Sequence, residues 1–222
     1  MPKLKKSQKI LLIAAAAALL CALCGCAVSN VEELYALPRH SDEDNELQKA
    51  IDSVMTEGVQ YAAPVSGKNQ QSVQLADLDA DGEDEAIVFL RVPGDKPLRA
   101  CVFDLTDGAY RSLGFIDGSG AAFERAEYVQ LDGEPGVEIV LGRQVGNQVL
   151  RAMSVYTLQE GQLVELMSTN YSEYALTDLD LDGNREIFLL RFDPEAKTGT
   201  AGLYRWNGSA LSLENEAALS AG

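Results

Sequence analysis

Histidine is nearly absent from this chain of 222 residues: His40 is the only one. That excludes every zinc site needing paired imidazoles and leaves most nucleophile–base triads without their base. Basic residues are also sparse, 18 Lys+Arg against 34 Asp+Glu, for a formal net charge of −16. A phosphate backbone would be repelled by such a surface, so a nucleic-acid partner is excluded. Cysteine occurs four times, at 21, 24, 26 and 101, and three of the four crowd the N-terminal segment. A long apolar run is missing everywhere but that segment, where residues 10 to 23 are uninterruptedly apolar. This run falls short of the roughly 20 residues that a membrane-spanning helix needs. Disorder throughout is excluded by the 46% hydrophobic content, an ordinary figure for a globular domain.

The N-terminus reads as an address. Lys3, Lys5, Lys6 and Lys9 precede the apolar run, the charged and hydrophobic parts of an export signal. Leu23-Cys24-Gly25-Cys26 then resembles a bacterial lipobox, with an aliphatic residue three before the modified cysteine and a small one directly before it. The resemblance implies a lipoprotein signal peptide over 1–25 and lipidation of Cys26, against simple signal cleavage as the alternative. Cys24 stands where lipoboxes usually hold a small or hydroxyl residue. Losing the first 25 residues, with four lysines and no acid, takes the net charge from −16 to −20. Cys101 then has no partner for an intramolecular disulfide, so the exported domain must be held by its core or by metal.

Residues 26–40, polar and containing Pro38, read as a lipidated tether. Ser41 with Asp42, Glu43 and Asp44 resembles a helix N-cap with acids in the first turn. Leu47, Ala50, Ile51, Val54 and Met55 follow at helical spacing and Gly58 supplies a stop, so an amphipathic helix is expected over 41–58.

From 59 to 222 the chain repeats. Glu85, Glu138 and Glu186 each open an apolar run, at spacings of 53 and 48. Val102-Phe103, Val155-Tyr156 and Leu203-Tyr204 keep the same two spacings, as do Leu105, Leu158 and Trp206. Turn dipeptides Asp107-Gly108, Glu160-Gly161 and Asn207-Gly208 precede strands centred on Leu113, Leu166 and Leu213. The expected fold is mostly β: three tandem four-stranded antiparallel units, about 70–124, 125–172 and 173–218, each the size of a propeller blade. Three units fall short of a closed propeller, so an open or partial array is expected.

Two acidic loops carry the chemistry. Asp77, Asp79 and Asp81 alternate before Gly82, with Glu83 and Glu85 after it; Asp178, Asp180 and Asp182 precede Gly183, Asn184 and Glu186 in the same spacing. Carboxylates at loop positions 1, 3, 5 and 9, with a backbone carbonyl at 7 (Glu83 or Asn184), surround a hard cation with oxygen, and calcium suits such a set best. The EF-hand is excluded, because position 12 is Val88 or Leu189. The competing reading, a solvated acidic turn, is outweighed by the recurrence of one nine-residue spacing at one place in a repeat. The middle loop, Gln130 to Glu138, lacks the Asp ladder. Two calcium ions are therefore expected.

The stretches Asp77–Glu85 and Asp178–Glu186, with the strands after them, resemble the FG-GAP or VCBS repeats of integrin α-like propellers. The leader, the Val31-Glu-Glu-Leu tether, the helix and the first loop are similar to VCBS-repeat lipoproteins of Clostridia-type bacteria. The resemblance implies a calcium-binding lipoprotein at the extracytoplasmic, cell-surface face of the membrane, and it implies no catalytic residue. The expected function is a non-catalytic protein- or glycan-binding module, membrane-anchored through its lipid. The alternatives are a cell-envelope hydrolase using paired acids such as Glu124 and Glu127, better explained as surface salt-bridging, and a solute-binding lipoprotein of a transporter.

Overall fold

A computed structural model describes residues 42–146 and 151–220. The signal segment, Cys26, the tether, His40 and the Ser41 cap lie outside the described residues. Helix α1 (Asp42–Val54) is followed by thirteen strands in three antiparallel sheets. The first sheet holds β1 (Gln60–Tyr61), β2 (Val73–Ala76), β3 (Glu85–Arg91), β4 (Leu98–Thr106) and β5 (Ala109–Gly118). The second holds β6 (Ala122–Val129), β7 (Glu138–Gln144), β8 (Arg151–Gln159) and β9 (Gln162–Tyr171). The third holds β10 (Glu173–Thr177), β11 (Glu186–Asp193), β12 (Thr198–Trp206) and β13 (Leu211–Ser220). The second and third are meanders with strands in chain order, the first is such a meander from β2 to β5 with β1 also pairing β3, and none of the sheets is closed.

Three boundaries differ from those expected. The helix stops at Val54, because Thr56 N–H turns back to the Val54 carbonyl and Val59 N–H to that of Thr56; Gly58, at φ 81°, completes the reversal. The first sheet has five strands, since β1 continues the edge of β2 along β3, pairing Gln60 with Arg91 and Tyr61 with Leu90. The expected join between the first two units at 124 and 125 falls inside β6.

The hairpins follow from their turn residues. Asp107 and Gly108 (φ 53° and 74°) and Glu160 and Gly161 (φ 50° and 72°) put two successive residues in the left-handed region, the turn whose twist matches its flanking strands. The third turn is wider: Asn207 N–H donates to the Ala210 carbonyl and only Gly208 is left-handed. A β-bulge recurs at one place in all three units, at Val102/Phe103, Val155/Tyr156 and Leu203/Tyr204. The repeat is therefore one of backbone geometry as well as of residue type.

Strand alternation divides the core. On β3, Ile87 and Phe89 face the second sheet, while Ala86, Val88 and Leu90 pack with Ala50 and Ile51 of the helix. Both faces being covered, the strand is an unbroken apolar run, and Ala86 to Leu90 are fully buried. Phe89 meets Phe123 edge-to-face, ring centroids 5.0 Å apart, between the first two sheets. Ile139 and Leu141 of β7 join that layer, while Val140 faces the other way into a layer with Ile187 and Leu189 of β11. On β11 the alternate residue Phe188 is 45% exposed, so this apolar strand is covered on one face only. Among the described residues no helix is long and apolar enough to cross a membrane.

Candidate metal-binding loops

Each loop connects the first long-paired strand of its sheet to the second, and the glutamate that opens the second strand organises it. Glu85, Glu138 and Glu186 are 0%, 2% and 2% exposed. The Oε2 of each accepts the backbone N–H seven residues earlier: Leu78 at 2.6 Å, Leu131 at 2.6 Å and Leu179 at 2.8 Å. A buried carboxylate that accepts a main-chain donor folds its loop back on itself whether or not metal is present. These glutamates are first of all structural hubs, a role the sequence reading did not assign to them.

The loop backbones also agree. Position 4 is left-handed in all three, at Ala80 (φ 61°), Gly133 (φ 80°) and Leu181 (φ 62°). Gly82 N–H donates to Asp77 Oδ2 at 3.2 Å and Gly183 N–H to Asp178 Oδ2 at 3.1 Å, so the position-1 aspartates cap their own turns. Asp81 Oδ1 accepts Glu83 N–H, and Asp182 Oδ1 accepts Asn184 N–H, both at 2.8 Å.

In the first loop Asp77, Asp79 and Glu85 each turn a carboxylate oxygen to within 4.8 Å of the others. Asp81 and Glu83 are exposed and stand outside that group. Glu85 Oε1 and Asp77 Oδ1 are buried without a hydrogen-bond partner. Burial, reinforced by neighbouring carboxylates, pushes the Glu85 carboxyl up to about 7. Asp79 is raised from its ordinary value by burial first and by the Asp81 and Asp77 charges after it. A buried, unpartnered carboxylate oxygen on a residue gathered with two other acids is costly unless a cation meets it. The donor set, all hard oxygen, therefore fits calcium.

In the third loop the gathered acids are Asp178, Asp180 and Asp182. Asp178 Oδ1 is buried without a partner, and Asn184 is occupied with Asp182. Glu186 is not in that group: its Oε1 lies 3.2 Å from Arg205 Nε, and Arg205 Nη1 lies 3.2 Å from Asp180 Oδ2. Arg205 was missed in the sequence because it arrives from β12, 19 residues after Glu186. A signal was nevertheless present, since Asp104, Thr157 and Arg205 keep the 53 and 48 spacings of the repeat.

The middle loop supplies its own donors. Gln130, in place of the first aspartate, accepts Asp132 and Gly133 N–H through Oε1. Its amide donates to the Glu134 carbonyl and, at 2.9 Å, to that of Gly136. Thr157 hydroxyl donates to Glu138 Oε1 at 3.2 Å. The loops also touch one another: Val137 N–H donates to the Leu78 carbonyl and Arg185 N–H to that of Gln130. Gly136 lies so close that a Cβ there would meet the Leu78 oxygen at 2.1 Å.

Glu124 and Glu127, the acid pair of the hydrolase alternative, each have the expected ion pair, but Glu124 is buried instead of lying at the surface. Glu124 is 6% exposed, its Oε2 accepts the hydroxyl of buried Tyr171, and its Oε1 lies 3.6 Å from Arg151 Nε. Glu127 Oε1 accepts the Tyr174 hydroxyl at 3.1 Å and lies 3.5 Å from Arg125 Nη1, while Arg125 stacks over the Tyr174 ring. The Glu124–Tyr171 contact ties β6 to β9 within the second sheet, and the Glu127–Tyr174 contact joins the second sheet to the third, contacts that no local spacing reveals.

The chain matches no family model and no curated protein sequence.

Proposed function

We propose that the chain is a lipid-anchored, extracytoplasmic calcium-binding repeat protein whose three sheets form an open array of propeller-blade-like units. Calcium would be held by the Asp77–Glu85 and Asp178–Glu186 loops, and the units would serve as a non-catalytic module binding a protein or glycan. One observation carries the metal part of this reading: Glu85 is fully buried, its Oε1 has no hydrogen-bond partner, and a carboxylate oxygen of Glu85 lies within 4.8 Å of oxygens of Asp77 and Asp79. The blade-like reading is supported by the four-strand meander, hub glutamate and bulge that recur in each unit. The hydrolase alternative gains nothing from Glu124, whose carboxylate is engaged by Tyr171 and Arg151.

Thermal melts of the full chain, with chelator and then with calcium, test the metal. Calcium at about 100 times its Kd adds about 2.7 kcal/mol. At about 2–4 °C per kcal/mol for a domain of this size, the midpoint rises by about 5–11 °C; an unmoved midpoint removes the calcium reading. Cys26→Ser is expected to release the protein from membranes, and retention of the variant would refute the lipid anchor.

A further inference from the structure

The three loops share a backbone frame and differ at one facing position. Beyond the paired residues Ala86–Phe103, Ile139–Tyr156 and Ile187–Tyr204, each hub glutamate is met from the next strand by Asp104, Thr157 or Arg205. The series runs acid, hydroxyl, guanidinium, at the spacings of the repeat.

In the first loop this position adds a carboxylate to a cluster already rich in them. Asp104 borders the same surface depression as Asp79, Asp81 and Glu83, and the strand register sets it beside Glu85. Among the described residues no Lys or Arg ion-pairs with Asp77, Asp79, Glu85 or Asp104. In the middle loop Thr157 satisfies Glu138 with a hydroxyl, and the Gln130 amide takes the carbonyls that a metal would otherwise attract. In the third loop Arg205 places a fixed positive charge between Asp180 and Glu186, and its Nε also lies 3.6 Å from Glu214 Oε2 on β13. Glu186 is 2% exposed, so this charge acts on a desolvated carboxylate, where electrostatic attraction is strong.

We infer that the residue facing the hub glutamate sets each loop's affinity for metal: Asp104 makes the first loop the tight site, and Arg205 is a built-in competitor that weakens the third. A divalent cation entering the third loop must displace the guanidinium from one carboxylate or share both with it. Asp178, Asp180 and Asp182 remain gathered, so the site persists at reduced affinity. The inference rests on the calcium reading proposed above and divides its two sites into unequal ones.

Calcium titration of the full-length protein in detergent, followed calorimetrically, tests it. The expected wild-type isotherm has two steps at least tenfold apart in Kd, and Asp79→Ala removes the tighter one. Arg205→Thr, which copies the middle unit, is expected to tighten the weaker step at least tenfold. Asp104→Thr is expected to weaken the tighter step at least tenfold and leave the other unchanged, and it tests the first loop independently should Arg205→Thr not fold. Two equal wild-type steps overturn the inference and leave calcium binding standing, as does an Arg205→Thr isotherm identical to wild type. No heat of binding in wild type or in either variant overturns the calcium reading together with the inference.

Discussion

Glu138→Gln is expected to stabilise the protein at alkaline pH and to do nothing at acid pH. Glu138 is 2% exposed, sits in the one loop without an aspartate ladder, and has its carboxyl pushed from the ordinary 4.5 up to about 7, chiefly by burial. The Leu131 N–H and Thr157 hydroxyl oppose that push but do not cancel it. Between pH 4.5 and about 7 the folded protein keeps a proton that the unfolded chain has already released, so stability falls as pH rises through this window. At 1.36 kcal/mol per pH unit the loss is about 3 kcal/mol once pH exceeds 7. Glutamine retains an acceptor for Leu131 N–H and offers Thr157 a donor, with no charge to desolvate. In chelator, which keeps the other loops metal-free, the variant's melting midpoint at pH 8.5 is expected to exceed wild type by about 6–12 °C, taking about 2–4 °C per kcal/mol. At pH 4 the two midpoints are expected to coincide. A variant less stable than wild type at pH 8.5, or a difference independent of pH, would refute the claim that a desolvated charge sits at this hub.

Asp180→Ala is expected to remove the weaker calcium step while the tighter one remains; loss of both steps would show that the loops are not independent sites. Phe89→Ala opens a cavity between the first two sheets and removes the edge contact with Phe123, so urea denaturation should show a loss of about 3–5 kcal/mol; a loss below about 1 kcal/mol would place Phe89 outside the working core. Cys101 is fully buried, and burial pushes its thiol up to about 12. A thiol reagent should therefore label it only after denaturation, and rapid labelling of the native protein would contradict its burial on β4 in the layer shared with the helix.

The legible part of the fold was local or periodic. Asp107-Gly108 and Glu160-Gly161 announce their turns because few residues tolerate two successive left-handed conformations. The 53 and 48 spacings placed the strands because each unit builds the same sheet from the same run of apolar residues. The acid ladders were visible as well, but which acids converge was not: Asp81 stands apart from Asp77, Asp79 and Glu85, and Glu186 turns to Arg205 instead of to Asp178. Glu124 was misplaced on the surface because its burial depends on Tyr171, 47 residues away across a strand boundary.

By itself the sequence determined the class of strand, the turns, the unit length and the hard-oxygen character of the loops, since each depends on residue type and short spacing. Tertiary structure decided which face of each apolar strand is covered, so that Ile87 is buried against the second sheet while its counterpart Phe188 is 45% exposed. It also decided the charge facing each hub. Asp104, Thr157 and Arg205 act on Glu85, Glu138 and Glu186 only because antiparallel pairing lays β4, β8 and β12 beside β3, β7 and β11. Coulomb attraction and hydrogen bonding fall off over a few ångströms, a proximity that distance along the chain does not reveal.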